Sequence, residues 1–139
     1  MSYLLDTCAL SEFTKKQPNE NVLAWLDAQL EESLFLSVLT IGEIQKGVAS
    51  LPVSKRKTKL EHWLDEVVYR YGTRILPFSV AVARRWGVLT GELETRGRVL
   101  PVIDSMIAAT ALTRRLTLVT RNVDDFADTG VKLLNIWEI

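Results

Sequence analysis

The sequence predicts an α/β fold, in which a central parallel sheet of four to five strands lies between helices on both faces. Short apolar runs alternate with longer segments of helical periodicity, which is the pattern of βαβ units. A chain of 139 residues has the usual size of one domain and can bury a substantial core. Because no repeat, low-complexity tract or linker interrupts it, we predict a single three-layer domain over residues 1–139.

Five short apolar runs are the predicted strands. They cover residues 3–5, 34–37, 74–76, 116–119 and 131–134. The first ends directly at Asp6, the third is stopped by Pro77, and the fourth is followed by Thr120. Because strands that alternate with helices pair in parallel, their carboxyl ends are expected at one edge of the sheet.

Helices are predicted between the strands from apolar residues at helical spacing and from capping residues. The residues predicted to begin or end them are Pro18, Asn19, Thr40, Ser54, Gly72, Ser79, Gly97 and Pro101. Thr40 is predicted to cap the second helix, with Glu43 in the capping-box position three residues later.

Composition indicates the compartment. Cys8 is the only cysteine, so no disulfide can form within the chain. There is no segment like a signal peptide, and no apolar run approaches the roughly 20 residues that a membrane span requires. A cytoplasmic protein without membrane contact is therefore expected.

The formal net charge is zero, which does not favour a nucleic-acid binder, since such proteins are usually basic. The basic residues nevertheless cluster at positions 15–16, 55–59, 84–85, 96–98 and 114–115. A neutral total is thus compatible with a basic rim around an acidic centre, although each cluster alone is typical of a solvated helix face.

Acidic side chains are predicted to gather at one edge of the sheet. Asp6 follows the first strand, Glu43 lies near the start of the helix after the second, and Asp104 interrupts the apolar helix before the fourth. The polar residues that follow the fourth strand are Thr120, Asn122, Asp124 and Asp125. Ligands of open parallel sheets bind outside the carboxyl ends of the strands, so these residues are candidates for one site.

The residue types indicate what such a site would hold. Clustered carboxylates either keep protons at a raised pKa or bind a cation. The only histidine, His62, lies on the basic helix and no second cysteine exists. An all-oxygen site favours Mg²⁺, with Mn²⁺ as a substitute, over zinc. The chemistry that follows is metal-assisted hydrolysis of a phosphodiester.

Most of these acids also have a purely structural interpretation. Asp6 could cap the turn after its strand, Glu43 could complete the capping box, and Asp124 and Asp125 could be turn residues. Asp104 has the weakest such interpretation, because a lone acid among apolar neighbours is costly unless something pairs with it. The joint placement of the acids favours a functional site.

Four segments, taken in order, resemble the motifs of PIN-domain nucleases. They are Leu4-Leu5-Asp6-Thr7, Leu39-Thr40-Ile41-Gly42-Glu43-Ile44 with Gly47, Asp104 with Ile107-Ala108-Ala109, and Leu118-Val119-Thr120-Arg121-Asn122 with Asp125-Phe126. Within that family the chain is similar to the VapC toxins of the FitB-like branch, through Ser11-Glu12, Pro18-Asn19-Glu20, Trp25-Leu26-Asp27 and Arg74-Ile75-Leu76-Pro77-Phe78.

The resemblance implies a PIN-like fold and a Mg²⁺-dependent endoribonuclease, the toxin of a type II toxin–antitoxin system. It implies that Asp6, Glu43 and Asp104 bind the metal. The fourth catalytic acid is expected to be Asp125, with the neighbouring Asp124 as the alternative. The residues with implied supporting roles are Thr7, Thr120, Asn122 and Asp124. The implied partners are an RNA substrate, a second copy in a homodimer, and a cognate VapB- or FitA-like antitoxin, through which alone the chain would reach DNA.

Cys8 departs from the family pattern, which has asparagine at this position. That asparagine can hydrogen-bond and orient the acids, and a thiol is a poor substitute. The alternative function is therefore a catalytically weak PIN-fold module that binds RNA or antitoxin. For Cys8 itself, a small buried hydrophobe is favoured over a thiolate metal ligand. A receiver-like phosphoacceptor is disfavoured, because Pro77 rather than aspartate follows the third strand and no lysine lies beyond Lys132.

Overall fold

The computed structural model describes all 139 residues and contains a five-stranded sheet. Its strands are β1 (Tyr3–Leu5), β2 (Leu34–Ser37), β3 (Ile75–Leu76), β4 (Thr117–Val119) and β5 (Leu133–Leu134). Every neighbouring pair is parallel, in the spatial order β3-β2-β1-β4-β5. The predicted parallel α/β fold is confirmed.

Six α-helices connect the strands. They are α1 (Thr7–Ser11), α2 (Glu20–Ala28), α3 (Val38–Ala49), α4 (Lys55–Tyr71), α5 (Val80–Thr95) and α6 (Val102–Arg114). Asn19, Ser54 and Ser79 cap helices as predicted, since their side-chain oxygens accept N–H bonds from the first turn. None of the helices combines the length and the apolar character needed to cross a membrane.

The structure differs from the predicted boundaries at two helices. α3 begins at Val38, because the Ser37 side chain accepts the Leu39 N–H and caps the helix earlier than Thr40 would. Thr40 therefore lies inside α3 and is fully buried, so the predicted capping box with Glu43 is wrong. α1 was not predicted, because five residues are too few to show helical periodicity.

Two apolar clusters cover opposite faces of the sheet. Leu5 of β1 and Val119 of β4 belong to one cluster, whereas their neighbours Leu4 and Leu118 belong to the other, as expected from alternating side chains along a strand. The first cluster includes side chains of α2, α3 and α4, and the second includes side chains of α5 and α6. This arrangement produces the three predicted layers.

Candidate active site

The sheet order reverses beside β1, because the chain proceeds from β1 to β2 on one side while β4 pairs on the other. Such a switch point opens a crevice outside the carboxyl ends of the strands. The Asp6 N–H donates to the Val119 carbonyl at 2.9 Å, so Asp6 and Thr120 lie side by side where β1 and β4 end. Both are buried, which places them at the base of this crevice.

Three donors fix the carboxylate of Asp6. Its Oδ1 accepts the Thr7 N–H at 2.8 Å, so Asp6 is the N-cap of α1. Its Oδ2 accepts the Thr120 hydroxyl at 2.8 Å and lies 3.5 Å from the Cys8 thiol, which donates to it. The capping interpretation is thus correct for one oxygen, while the other is held by side chains from a separate strand end and from α1.

Glu43 reaches the same region from α3. The Thr7 hydroxyl donates to Glu43 Oε1 at 2.6 Å and lies 3.3 Å from the Thr40 hydroxyl. Because Thr7 follows Asp6 directly, these contacts connect Glu43 to the end of β1. The side chain of Glu43 is half-buried and does not cap its own helix.

Asp104 lies in the first turn of α6 and is half-buried. Burial, followed by the negative charges of Asp6, Glu43 and Asp125, raises its pKa to about 6. No hydrogen bond to its carboxylate offsets these effects. Four acids predicted from the sequence therefore interact electrostatically. They are Asp6 after β1, Glu43 of α3, Asp104 of α6 and Asp125 after β4.

Arg98 anchors the turn that carries Asp125. Residues 123–126 form a single 3₁₀ turn, and the Arg98 Nη2 donates to the Asp125 carbonyl oxygen at 2.6 Å. The Arg98 Nε lies 3.3 Å from Asp128 Oδ2, so the guanidinium joins two points of this segment. Arg98 was missed as a site residue, because the sequence shows it only as one member of a basic cluster and gives no signal for a contact 27 residues away.

The other polar residues after β4 are placed differently. The Asn122 N–H donates to the Thr120 hydroxyl oxygen at 3.1 Å, which continues the hydrogen-bond chain from Asp6, but the Asn122 side chain is exposed. Asp124 is also exposed and, unlike Asp125, is not among the charges that raise the pKa of Asp104. Asp125, rather than Asp124, therefore interacts electrostatically with Asp104.

The acids interact electrostatically but do not form a preformed metal site. As the side chains stand, no three acidic, histidine or cysteine residues converge closely enough to hold a metal ion. Asp6 and Glu43 are fixed by hydrogen bonds, whereas the carboxylates of Asp104 and Asp125 accept none.

Cys8 lies beside Asp6, and its thiol donates to the Asp6 carboxylate. Burial, then the charge of Asp6, raises the pKa of its thiol to about 11, so the thiol stays protonated and acts as a donor. This protonation disfavours thiolate ligation. Cys8 also packs on the core cluster of Leu5, but it is only half-buried, so it combines the expected packing with a weak version of the hydrogen bond that asparagine would make.

Comparison with known proteins identifies relatives along nearly the whole chain. Residues 3–132 match the PIN domain family. The chain is 38% identical over 136 residues to the VapC ribonuclease Y4jK of Sinorhizobium fredii, with 97% of each chain covered. It is 38% identical over 135 residues to the toxin FitB of Neisseria gonorrhoeae, covering 96% of this chain and 97% of that toxin.

A solved structure supports the same assignment. The crystal structure of FitAcB from Neisseria gonorrhoeae superimposes with a TM-score of 0.93 at 37% identity and covers 99% of both chains. VapBC2 of Rickettsia felis, bound to a DNA fragment from the promoter, gives a TM-score of 0.82 at 29% identity, with 97% of this chain and 98% of that chain covered. Fold, motif order and sequence identity agree, and the chain belongs to the PIN-domain family, in the group that contains the VapC and FitB proteins.

Proposed function

We propose that this chain is a metal-dependent endoribonuclease, the toxin of a type II toxin–antitoxin system. The observation that carries the proposal is the group of acids at the switch point of the sheet, where Thr7, which directly follows Asp6, donates to Glu43. The negative charges of Asp6, Glu43 and Asp125 also raise the pKa of Asp104, so all four acids interact electrostatically. The relatives include proteins named VapC ribonuclease and toxin FitB, which supports this reaction and this biological role.

The donor set fits a hard divalent cation. VapC-type PIN nucleases generally depend on a divalent metal, and the acids offer carboxylate oxygens with no histidine nearby. Asp6, Glu43 and Asp104 would hold Mg²⁺, or Mn²⁺ in its place, and Asp125 would be the fourth acid. The bound metal would activate a water molecule and offset the charge of the scissile phosphate.

The residues around the acids keep them in position for hydrolysis, in which water adds to phosphorus and one backbone P–O bond breaks. Thr120 and Cys8 orient Oδ2 of Asp6, and Thr7 orients Glu43. Asn122 supports Thr120 through its N–H, and the exposed Asp124 has the weakest supporting role. Fixed orientation matters because a loosely held carboxylate loses binding energy to side-chain entropy.

The partners follow from the relatives. We infer that a cognate antitoxin of the VapB or FitA kind inhibits this chain and links it to DNA, that the chain forms a homodimer, and that it acts on cytoplasmic RNA. An apolar groove of about 1010 Å³ between α2 and α4, lined by side chains such as Leu23 and Trp63, is where we expect an antitoxin segment to dock. The related FitAB complex, solved bound to an IR36 DNA fragment, supports this partner.

A catalytically weak module that binds RNA or antitoxin is the second candidate. It is favoured by two observations, the thiol at Cys8 and the absence of three side chains that converge on a metal position. Activity measurements separate it from the nuclease.

The purified chain, freed of antitoxin, should cleave single-stranded and structured RNA in Mg²⁺, and EDTA should stop the reaction. Cleavage is measured by gel electrophoresis of labelled RNA, and restored activity after excess Mg²⁺ or Mn²⁺ is the control for the EDTA effect. The antitoxin encoded beside the gene should also stop it. RNA that remains intact in both metals, with binding retained, would favour the second candidate instead.

Replacing Arg98 with Ala should reduce cleavage by about tenfold and raise the Mg²⁺ concentration needed for half-maximal rate, because the Asp125 turn loses its anchor. Arg96→Ala is the matched control, since Arg96 is exposed on the same loop and its side chain makes no ion pair. Equal metal dependence in the two variants would contradict a positioning role for Arg98.

A further inference from the structure

Three exposed arginines line a shallow cleft that lies outside the acidic site. Arg84 and Arg85 project from α5, and Arg115 follows the last residue of α6. The cleft is a shallow, open depression of about 340 Å³, and its remaining lining consists of apolar residues and one threonine. No acidic side chain lines it, although the chain as a whole has 17 acidic and 17 basic residues.

The three guanidinium groups have no partner within the chain. The half-buried arginines, Arg74 and Arg98, both form ion pairs and donate to backbone carbonyls, whereas the three arginines of the cleft are exposed. Arg84, Arg85 and Arg115 take part in no ion pair and no side-chain hydrogen bond of the structure. Because like charges that gather without a counter-charge repel each other, the cleft is an uncompensated positive site.

The backbone at Arg115 is unfavourable for a residue with a side chain. Arg115 ends α6 in the left-handed conformation, with φ 56° and ψ 45°. The chain has three other residues with positive φ, and all are glycine: Gly72, Gly97 and Gly130. Glycine would fit this helix end at lower cost. The chain therefore retains a strained backbone where it places a third cation in the cleft, which is typical of residues kept for function.

We propose that this cleft binds backbone phosphates of the substrate RNA at a distance from the bond that is cut. The proposal rests on the proposed nuclease function. Arg115 lies eleven positions after Asp104, which is about 16 Å along the axis of α6, so the cleft would contact nucleotides beyond those at the acidic site. The planar guanidinium fork matches phosphate oxygens, and acids at the site of cleavage repel RNA unless cations elsewhere attract it.

The contact would add affinity without reading sequence, because phosphates are the same at every position. Each phosphate that pairs with a cation releases counterions, so binding through the cleft should weaken as salt is raised. The cleft thus accounts for how a chain without net charge retains a polyanionic substrate.

The first test measures the binding of a fluorescently labelled single-stranded RNA by anisotropy, in EDTA so that no cleavage occurs. The variant Arg84→Ala, Arg85→Ala, Arg115→Gly should bind at least about tenfold more weakly, and the slope of log affinity against log salt should fall by about 2. Arg70→Gln removes a positive charge from another surface and is the control for charge alone. Unchanged affinity and slope in the triple variant would overturn the proposal.

Arg115→Gly alone separates binding from folding. It should raise the melting temperature, because the left-handed backbone is relieved, and yet weaken RNA binding. Cleavage kinetics add an independent readout: KM should rise while kcat at saturating RNA stays unchanged. RNA affinity is measured without catalysis. If the chain binds RNA through the cleft but cleaves none, the proposed nuclease function would be contradicted, while the proposed phosphate binding by the cleft would be supported. Equal competition by poly-glutamate would instead assign the cleft to an acidic protein segment and overturn the RNA proposal.

Discussion

Replacing Asp104 with Asn is expected to abolish RNA cleavage and at the same time to stabilise the folded chain. The variant keeps the shape of the side chain but removes one of four interacting charges, so metal affinity and rate should fall by about a hundredfold or more. Gel assays of labelled RNA with Mg²⁺ measure the loss. Full cleavage by Asp104→Asn would exclude Asp104 from the catalytic site.

The stability gain follows from the electrostatics of Asp104. Burial and the charges of Asp6, Glu43 and Asp125 raise its pKa from the usual 3.8 to about 6, so its ionised form destabilises the folded state. Its protonated form contributes stability that is fully present below pH 3.8 and is lost as the pH rises through about 6. In EDTA, the free energy of unfolding of Asp104→Asn should therefore exceed that of wild type by about 1 kcal/mol above pH 6. This value allows for solvent screening at a half-exposed group.

Asp6→Asn provides the contrasting variant. It should also abolish cleavage, but it should lower stability, because Oδ1 and Oδ2 of Asp6 accept three donors and an amide nitrogen can accept none. Thermal unfolding in EDTA distinguishes the two variants. If Asp104→Asn is not more stable than wild type above pH 6, the charges of the other three acids do not act on Asp104.

The sequence predicts the architecture well, because the determinants of this fold are local. Apolar runs such as Tyr3–Leu5 and helix caps such as Ser54 and Ser79 act over a few residues, and both were recognisable. The exception is α3, where Ser37 and Thr40 were both able to cap and only the packing of Thr40 into the core decides between them. Propensity alone does not report which of two neighbouring caps tertiary packing will bury.

The site was predicted as a set of acids, but not the contacts that hold them. Asp6, Glu43, Asp104 and Asp125 follow from strand ends and motif order, and their metal-binding roles remain predictions. The hydrogen bonds from Thr120 to Asp6 and from Arg98 to the Asp125 turn join residues 114 and 27 positions apart. Such pairs depend on how elements pack, which no local pattern encodes. The arginine cleft is of the same kind, because Arg85 and Arg115 meet only through the pairing of α5 with α6.

Replacing Trp137 with Ala should give the largest loss of stability among the variants considered. Its side chain is buried in the core cluster of Leu5, and it closes that face of the sheet with Ile136. Truncating a buried aromatic side chain costs about 3–5 kcal/mol. Chemical denaturation measures the effect, and Trp25→Ala, at a partly buried ring on the same cluster, is the control.

The loss at Trp137 also has a polar part, which Trp137→Phe isolates. The indole N–H donates to Oε1 of Glu12 at 3.0 Å, and Glu12 is only 1% exposed, with its Oε2 lacking any partner. Burial alone would raise the pKa of Glu12, but the bonds from Trp137 and Lys15 hold it below its usual value. Glu12 therefore contributes stability that is present above its unfolded pKa and is lost as the pH falls through its folded pKa.

Trp137→Phe should accordingly cost about 1–3 kcal/mol at neutral pH, because a buried carboxylate loses one of its two side-chain donors, and the cost should shrink in acid as Glu12 becomes protonated. Combining it with Glu12→Met replaces both polar partners by apolar groups and should recover much of the loss. A cost that is independent of pH, or one that the double variant does not reduce, would show that Trp137 stabilises the chain through packing alone. Recovery in the double variant would instead show that Glu12 is a buried charge that requires the hydrogen bond from Trp137. Because Glu12 directly follows α1, this bond would also hold α1 in position beside the acidic site.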